Sequence, residues 1–598
     1  MSLQEPKAIY DGFSRINRGM DSGRPPSSIG RDQVAFAINT TFREEYPKHR
    51  PGIRRVTLGG DDFQLGRWQG AAGYVATTGR PSVIASIGGQ IVQFDLFDMT
   101  VNNLSSTSGL ENPSIVPKTW FTQAEQFLPI QNGVSIPLIW DGASLRRATP
   151  VAFGGVELPV GCMMEYSNGR LAVALPGLTS FVMGDLAYSR TGNASDVLGF
   201  TENQFIDGGG EFVMPSDAGF ITAMKTVAIM DTTLGQGPLQ IFGQKGSASF
   251  NAPFDRTQWQ NLSSAIQSVS MLAPGPTSQE VTVSVNGDLW YRASDGIRSF
   301  QIARRDHGTW VNTPLSHEMD RVLEKDDPAL TDFASGVDFD NRLLCTVSPY
   351  RATTDGVEYG VAWRGLVALD FKPVSSMFDR NQPSWEGVWT GLQILQILKV
   401  DCYSNERCFV FALNSDNEIE LWELSKTDTA DNGGTVPIDW TIESRALGFV
   451  DNSEYLKQLK RTEQWLQKMT GEVVWEVEYR PDGFWGWLPL DSGSVCATTG
   501  MCEGPACGPP QSPQLQYRPR KITSAPALDC EECVDKPYRN GFEFQFKLSV
   551  TGSAQLRRFR SVATDLPEQT TGGCLGVETD CCDQSGCEYS PWAYQIEE

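Results

Sequence analysis

Only three histidines occur in this 598-residue chain: His49, His307 and His317. A Ser-His-Asp or Cys-His device would have to use one of them. His49 lies in KHRPG beside two basic residues, His307 follows RRD, and His317 precedes Glu318. None stands near a nucleophile elbow of the G-x-S-x-G type. Carboxylate pairs are plentiful, as in Asp61–Asp62, Asp326–Asp327 and Asp416 with Glu418. Two carboxylates roughly 5–9 Å apart do glycosidase work, but in an acidic chain such pairs are ordinarily solvated turns. DFDN (Asp338–Asn341) and NSDNE (Asn414–Glu418) lack the twelve-residue spacing and glycine of a calcium loop, which leaves turn chemistry as the better reading. No phosphate-cradling G-x-x-x-x-G-K-[ST] or strand-linked G-x-G-x-x-G is present, and the glycine run at 208–210 reads as a loop. The residues give no catalytic site, no cofactor site and no metal site, so the expectation is a protein that is not an enzyme.

The thirteen cysteines are unevenly placed. Cys162, Cys345, Cys402 and Cys408 are scattered. Cys496, Cys502, Cys507, Cys530, Cys533, Cys574, Cys581, Cys582 and Cys587 crowd the C-terminal fifth. An odd total cannot pair fully within one chain. Cys530 and Cys533 form a CxxC without a second CxxC at ribbon distance, and adjacent Cys581 and Cys582 cannot readily grip one tetrahedral metal. These nine are candidate disulfide cysteines, with free thiols and zinc ligation as alternatives, and at least two bridges are expected once the chain leaves a reducing cytoplasm. Tryptophans at 385, 389, 465, 475, 485 and 487 suit a sugar-binding groove or, as alternating strands more often have it, a core or subunit contact.

The elements that would carry these groups repeat one grammar, a polar turn running into an apolar strand. EYSNGRLAVAL starts at Glu165, VDFDNRLLCTV at Val337 and CYSNERCFVFAL at Cys402; PIQNGVSIPLIW from Pro129 and VSVNGDLWYRAS from Val283 are looser relatives. Asn, Asp or Gly stands where a hairpin reverses, and β-branched or aromatic residues follow. The turns at Asn132, Asn168, Asn286, Asn341 and Asn405 are 36, 118, 55 and 64 residues apart. That is too uneven for repeats of roughly 40–50 residues. The pattern predicts an all-β protein: an irregular β-propeller with long insertions over 61–438, after an extended N-terminal arm at 1–60. A C-terminal β-sandwich-like domain is expected over 439–598, with Cys-rich insertions at 491–540 and 571–590. A helix is expected near 257–271. The segment 455–467 reads either as a short helix or as a charged strand. Val473, Trp475, Val477 and Tyr479 share one strand face, and Phe542, Phe544, Phe546 and Leu548 alternate likewise.

The formal charge of −23, with a pI near 4.7, argues against tight nucleic-acid binding through basic surfaces. No window supplies ~20 uninterrupted apolar residues, and no signal-peptide pattern opens the chain. The expectation is folding in a cytoplasm, with no membrane span.

Taken in order, several segments resemble the tail nozzle (tail tubular protein B) family of short-tailed bacteriophages. They are RGMDSGRPPSSIGRDQVAFAINTTFREEYPKHRPGI, NGRLAVALPGLTSFVMGDLAYSRTGNASDVLGF, LQIFGQKGSASFNA, WEGVWTGLQILQILKVDCYSNERCFVFALNSDNEIELWEL and LKRTEQWLQKMTGEVVWEVEYRPDGFWGW. The resemblance implies a virion protein assembled in the host cytoplasm as a ring of six copies below the portal and adaptor. Its partners would be other copies of itself, the adaptor, tail fibres or other tail proteins, and genomic DNA that it retains and then conducts without specific binding. It implies no catalytic residue. A lumen sharing the chain's negative sign would repel DNA phosphates and prevent adhesion. Two other readings stand beside it: a carbohydrate-binding or polysaccharide-degrading tail-tip propeller, and a minor tail or adhesin protein of a longer-tailed phage.

Overall fold

A computed structural model describes residues 8–149, 157–185, 210–227, 237–251, 253, 258, 266–270, 274–300, 314–354, 356–371, 383–402, 405–449, 455–496, 519–525 and 539–566. Among the described residues strand accounts for 56% and helix for 8%, in a five-bladed β-propeller arrangement. The blades follow one another along the chain. Their innermost strands are Trp68–Val75, Trp120–Phe121, Met164–Ser167, Ile221–Thr226 and Thr282–Val285, and in blade one Gly59–Gly60 adds a fifth strand at the outer edge. Antiparallel neighbours build each blade outward. Asn168–Gly169, Asn286–Gly287 and Asp340–Asn341 all take positive φ, as two-residue hairpin turns require.

An eighteen-stranded sheet closes the ring. Its strand Gln393–Cys402 packs against Trp68–Val75 of the first blade, and its strand Gly336–Phe339 packs against Thr282–Val285 of the fifth. The close approach at the first of these junctions depends on Gly73, where a Cβ would stand 3.0 Å from Val400 Cγ2. The hydrophobic cores follow the ring. One cluster, with Trp68, Phe94 and Phe411, lies between the large sheet and blade one; Tyr74, Ile84 and Trp140 fill the space between blades one and two. Ile139 and Leu171 lie between two and three, Phe181 and Ile241 between three and four, and Phe242 and Tyr291 between four and five. The largest core joins blade five to the large sheet through Trp290, Trp363 and Trp385. Each interface is thus one apolar layer between stacked sheets, the arrangement that lets a half-buried strand bury both faces.

Two long strands, Lys457–Pro481 and Phe544–Asp565, pair over most of their lengths and belong to the same large sheet. Val473, Trp475, Val477 and Tyr479 are all buried, as their alternation predicts; so are Phe544, Phe546 and Leu548, whereas Phe542 is exposed ahead of its strand. The segment near 455–467 is strand, which discards the helical alternative. The expected helix near 257–271 is corrected at its end: Ile266–Ser270 is the fourth strand of blade four, and most of the remainder lies outside the described residues.

The N-terminal residues weave into this sheet. Ala8–Phe13 pairs with the C-terminal strand, Ala8 facing Thr564, and Val34–Ile38 pairs with Asp439–Ser444. Buried Arg50 locks the crossing, donating to Asp431 Oδ1 at 2.8 Å, Asp431 Oδ2 at 2.9 Å and the Thr390 carbonyl at 3.1 Å. Among the described residues no helix is long and apolar enough to cross a membrane.

Candidate functional site

The innermost strands leave a cavity of about 570 Å³ on the propeller axis. Every blade and the large sheet contribute to it, through Gly70–Gly73, Thr119–Gln123, Met164–Tyr166, Lys225, Gln279–Ser284, Ser335–Asp338 and Leu395–Lys399. Three lysines and three carboxylates line it, most of them already paired. Lys118 Nζ lies 2.6 Å from Glu280 Oε2 and 2.7 Å from the Asp332 carbonyl. Lys225 Nζ lies 3.4 Å from Glu165 Oε2, and Lys399 turns to Glu406 at 3.2 Å. Burial raises the Asp338 carboxyl above its usual range, with Lys399 opposing. Burial raises Asp332 as well, against the pull of Lys118. A volume of this size holds roughly twenty waters at ~30 Å³ each. Paired charges in such a space suit a wet, rigid axle.

The sharper feature of the axis is how the blades are joined. Single amide side chains bridge neighbouring sheets by imitating a peptide group, accepting from a backbone N–H and donating to a backbone carbonyl. Gln396 accepts from Ala71 N at 2.8 Å and donates to Ala71 O at 2.9 Å, tying the large sheet to blade one. Gln123 of blade two does the same to Val75 at 2.9 and 2.8 Å, and Gln279, ahead of blade five, to Met224 of blade four at 2.7 and 2.6 Å. Gln131 reaches Gly161 N and Pro159 O on the approach to blade three. Between blades three and four a carboxylate takes this place, Glu165 accepting from Thr226 N at 3.0 Å. The last junction uses Ser278 Oγ to Ala334 O at 2.6 Å and Gly336 N to Glu280 O at 3.0 Å. Gln64 clasps Ile419 in the same two-bonded way further out. Inner strands of adjacent blades splay too far to form a ladder; a side-chain amide spans the gap and satisfies groups that burial would otherwise orphan.

Replacing Gln396 by leucine is expected to cost about 2 kcal/mol, because Ala71 then loses both backbone partners beside a wet cavity. Urea denaturation of Q396L against wild type measures this. A change under about 0.5 kcal/mol would show that the clasp is ornamental.

The sequence candidates do not converge. Buried His49 lies between the Arg50 carbonyl, 2.7 Å from Nδ1, and Ser553 Oγ, 3.2 Å from Nε2. Burial lowers its pKa against the opposing hydrogen bond to the Arg50 carbonyl, with the charges of Lys48 and Arg50 adding to the lowering. His317 is exposed and pairs with Asp320, and His307 lies outside the described residues. The carboxylate pairs are absorbed by turns and ion pairs. Asp61 accepts from Asn103 N, Asp62 from Gln64 N, Asp327 from Ala329 N, and Asp326 binds Arg292. Asn414 closes its own loop by accepting from Asp416 and Glu418. Among the described residues no three His, Cys, Asp or Glu side chains are grouped to hold a metal.

Cys162, Cys345 and Cys408 are free thiols, and burial pushes Cys345 up to about 12. Cys402 ends the strand Gln393–Cys402. Cys496 is buried and disulfide-bonded. The other eight C-terminal cysteines lie outside the described residues. Of the tryptophans, 385, 389 and 475 are core, while Trp465 and Trp487 are half-buried beneath cations. Trp485 is 89% exposed. The clasping glutamines carry one usable sequence signal, an isolated amide inside an apolar strand, as in LQILQILKV.

The fold so defined is a β-propeller. No family model matches the chain, and no curated protein matches it. Solved propellers do. The β-propeller domain of Cps50 (Swd1) from Myceliophteria thermophila is 12% identical, with 61% of this chain and 98% of that one covered and a TM-score of 0.30. BamB from Moraxella catarrhalis is 10% identical, with 65% and 95% covered and a TM-score of 0.31. A chain of the Mitotic Checkpoint Complex is 9% identical, with 63% and 96% covered and a TM-score of 0.32. At such identities the likeness concerns the fold alone.

Proposed function

We propose that this chain is a structural tail protein of a bacteriophage. In this reading six copies form the nozzle ring below the portal and adaptor, hold the genome in before infection and conduct it at ejection. The carrying observation is the agreement between segment order and architecture. The segments that resemble the nozzle family fall, in chain order, on separate structural units here. NGRLAVAL is the turn and second strand of blade three, and LQIFGQKGSASF is the central hairpin of blade four. The segments after Trp385 build the closing sheet and the long C-terminal strands. The clasped blades support a role in which stiffness matters more than chemistry. The axial cavity holds only small molecules, so the conduit of this reading runs between subunits and not along the propeller axis.

A second reading, carbohydrate binding at the tail tip, is favoured by one observation. The hairpin tip carrying the exposed Trp485 lies beside Phe542 and two carboxylates, Asp482 and Glu543, with Asp482 accepting from the Phe542 and Glu543 amides. One experiment separates the two. The full chain is mixed with a phage portal–adaptor complex and imaged, and in parallel is titrated with host polysaccharide. A six-copy ring seated on the adaptor is the expected result. Polysaccharide binding that is lost in Trp485→Ala, without ring formation, would replace the nozzle by the lectin, and depolymerisation would replace it by an enzyme.

A further inference from the structure

The strand Lys457–Pro481 is electrically polarised along its length. Near its start, a four-stranded stretch of sheet aligns Ala8–Phe13, the end of Phe544–Asp565, the start of Lys457–Pro481 and Arg520–Ser524. The register sets Glu463 opposite Arg560, and Trp465 opposite both Arg558 and Lys521. Lys521, Arg558 and Arg560 converge on the one indole of Trp465, at 5.5, 5.5 and 5.6 Å from its centre. Arg560 also covers Tyr10, which is 53% exposed. The single buried carboxylate of Glu463 serves Arg461, Lys521 and Arg560 together. Exposed Arg557 and Arg558 have no acidic partner among the described residues. In a chain of net charge −23, this is a basic, aromatic-centred face with more cations than its own acids balance.

The other half of the same strand carries the opposite sign. Glu472, Val474 and Glu476 are exposed in alternation, and Val474 is 46% exposed between the two glutamates. Neither glutamate has a basic partner among the described residues. Exposed Asp439, across from Thr551, adds to this side. The strand is bulged between the two groups, so their separation is better measured on its partner, where Arg558 and Thr551 face Trp465 and Val474 seven residues apart, roughly 23 Å at ~3.3 Å per residue. A paired, rigid sheet cannot fold one end onto the other.

We infer that these two faces dock on each other between copies of this chain, the Trp465–Arg558 face of one copy receiving the Glu472–Val474–Glu476 face of the next. The inference rests on the ring proposed above and names its contact. Each face has an apolar centre, the indole and Tyr10 on one side and Val474 on the other, with complementary charge around it. Aromatic and arginine anchors ringed by complementary charge are the composition of a specific interface. Because the two faces differ, the contact is head-to-tail, the kind that closes into a ring when the rotation per subunit permits.

The test uses two full-length charge reversals at exposed positions, Arg557→Glu with Arg558→Glu, and Glu472→Lys with Glu476→Lys. Wild type is expected to assemble in sedimentation velocity, and to weaken as NaCl rises from about 0.1 M to about 0.5 M. Each reversal alone should weaken assembly roughly tenfold or more. Mixing the two should restore it, since alternating copies again present opposite signs. Circular dichroism of each variant confirms folding. Wild-type assembly that neither reversal disturbs would overturn these faces and leave the ring standing. A wild-type chain that stays monomeric at every concentration would overturn both. Binding of a phosphodiester oligonucleotide that Arg557→Glu with Arg558→Glu abolishes, without assembly, would give the basic face to nucleic acid and also end the proposal.

Discussion

Glutamine in place of Glu386 should destabilise the chain by about 3 kcal/mol, because buried Arg342 then keeps only the Asp340 carboxylate as counter-charge. Glu386 is fully buried on the strand Ser384–Trp389. Its Oε2 lies 2.6 Å from Nε of Arg342, its Oε1 accepts from Thr41 Oγ1, and its backbone carbonyl accepts from Thr40 Oγ1 at 2.8 Å. Arg342 is itself buried over the Trp389 ring and binds Asp340, which also binds Arg43. Arg43 in turn grips Asp370 at 3.0 and 2.8 Å. Burial works against the charge on Arg43, but the hydrogen bond and charge of Asp370, with Glu386 and Asp340 adding, raise its pKa. The network therefore joins the N-terminal arm to the closing sheet through residues some 300 positions apart. Urea denaturation should show E386Q shifted strongly, while Arg342→Met with Glu386→Leu loses less than E386Q alone, because both buried charges leave together. A double variant worse than the single would mean that packing, not charge, dominates the site.

Little of that network is legible in the chain. Thr41, Arg43, Arg342, Asp370 and Glu386 come from distant segments, and nothing local marks them as partners. The blades were legible because their information is local. At Asn168, Asn286 and Asn341 the residue that tolerates positive φ sits between two alternating apolar runs, and both the turn and its strands follow. The strand at 455–467 was ambiguous for a physical reason. Its charges are balanced across strands, Glu463 by Arg560 and Lys521, so they fall within the strand and mimic the spacing of a solvated helix face. The strand Ile266–Ser270 carries little strand signal, because five residues, mostly polar, on the outside of a blade need no strong β pattern. The clasping glutamines escaped because each is one residue acting alone. Their role appears only when the neighbouring blade supplies a backbone N–H and carbonyl at the right separation.

Glu463 makes the second large prediction, and it is a prediction about pH. Burial would raise this carboxyl, but hydrogen bonds from Lys521, Arg560 and Arg461, and the charge of Arg560, together lower it to about 2 from an ordinary 4.5. A carboxylate held below its unfolded value stabilises the fold fully above about pH 4.5, and that contribution disappears as pH falls toward 2. At about 1.4 kcal/mol per unit the depression sets an upper bound of about 3 kcal/mol at neutral pH, and solvent around the partly exposed Arg461 and Lys521 screens it to about 1–2 kcal/mol. Wild type should therefore exceed E463Q by about 1–2 kcal/mol near pH 7, and the gap should close steadily below about pH 4.5. Comparing the two variants cancels the carboxylates they share, so the closing gap belongs to Glu463 alone. A gap that stayed constant down to about pH 2.5 would mean that the glutamate acts by shape and hydrogen bonding, and that its three cations gain nothing from its charge.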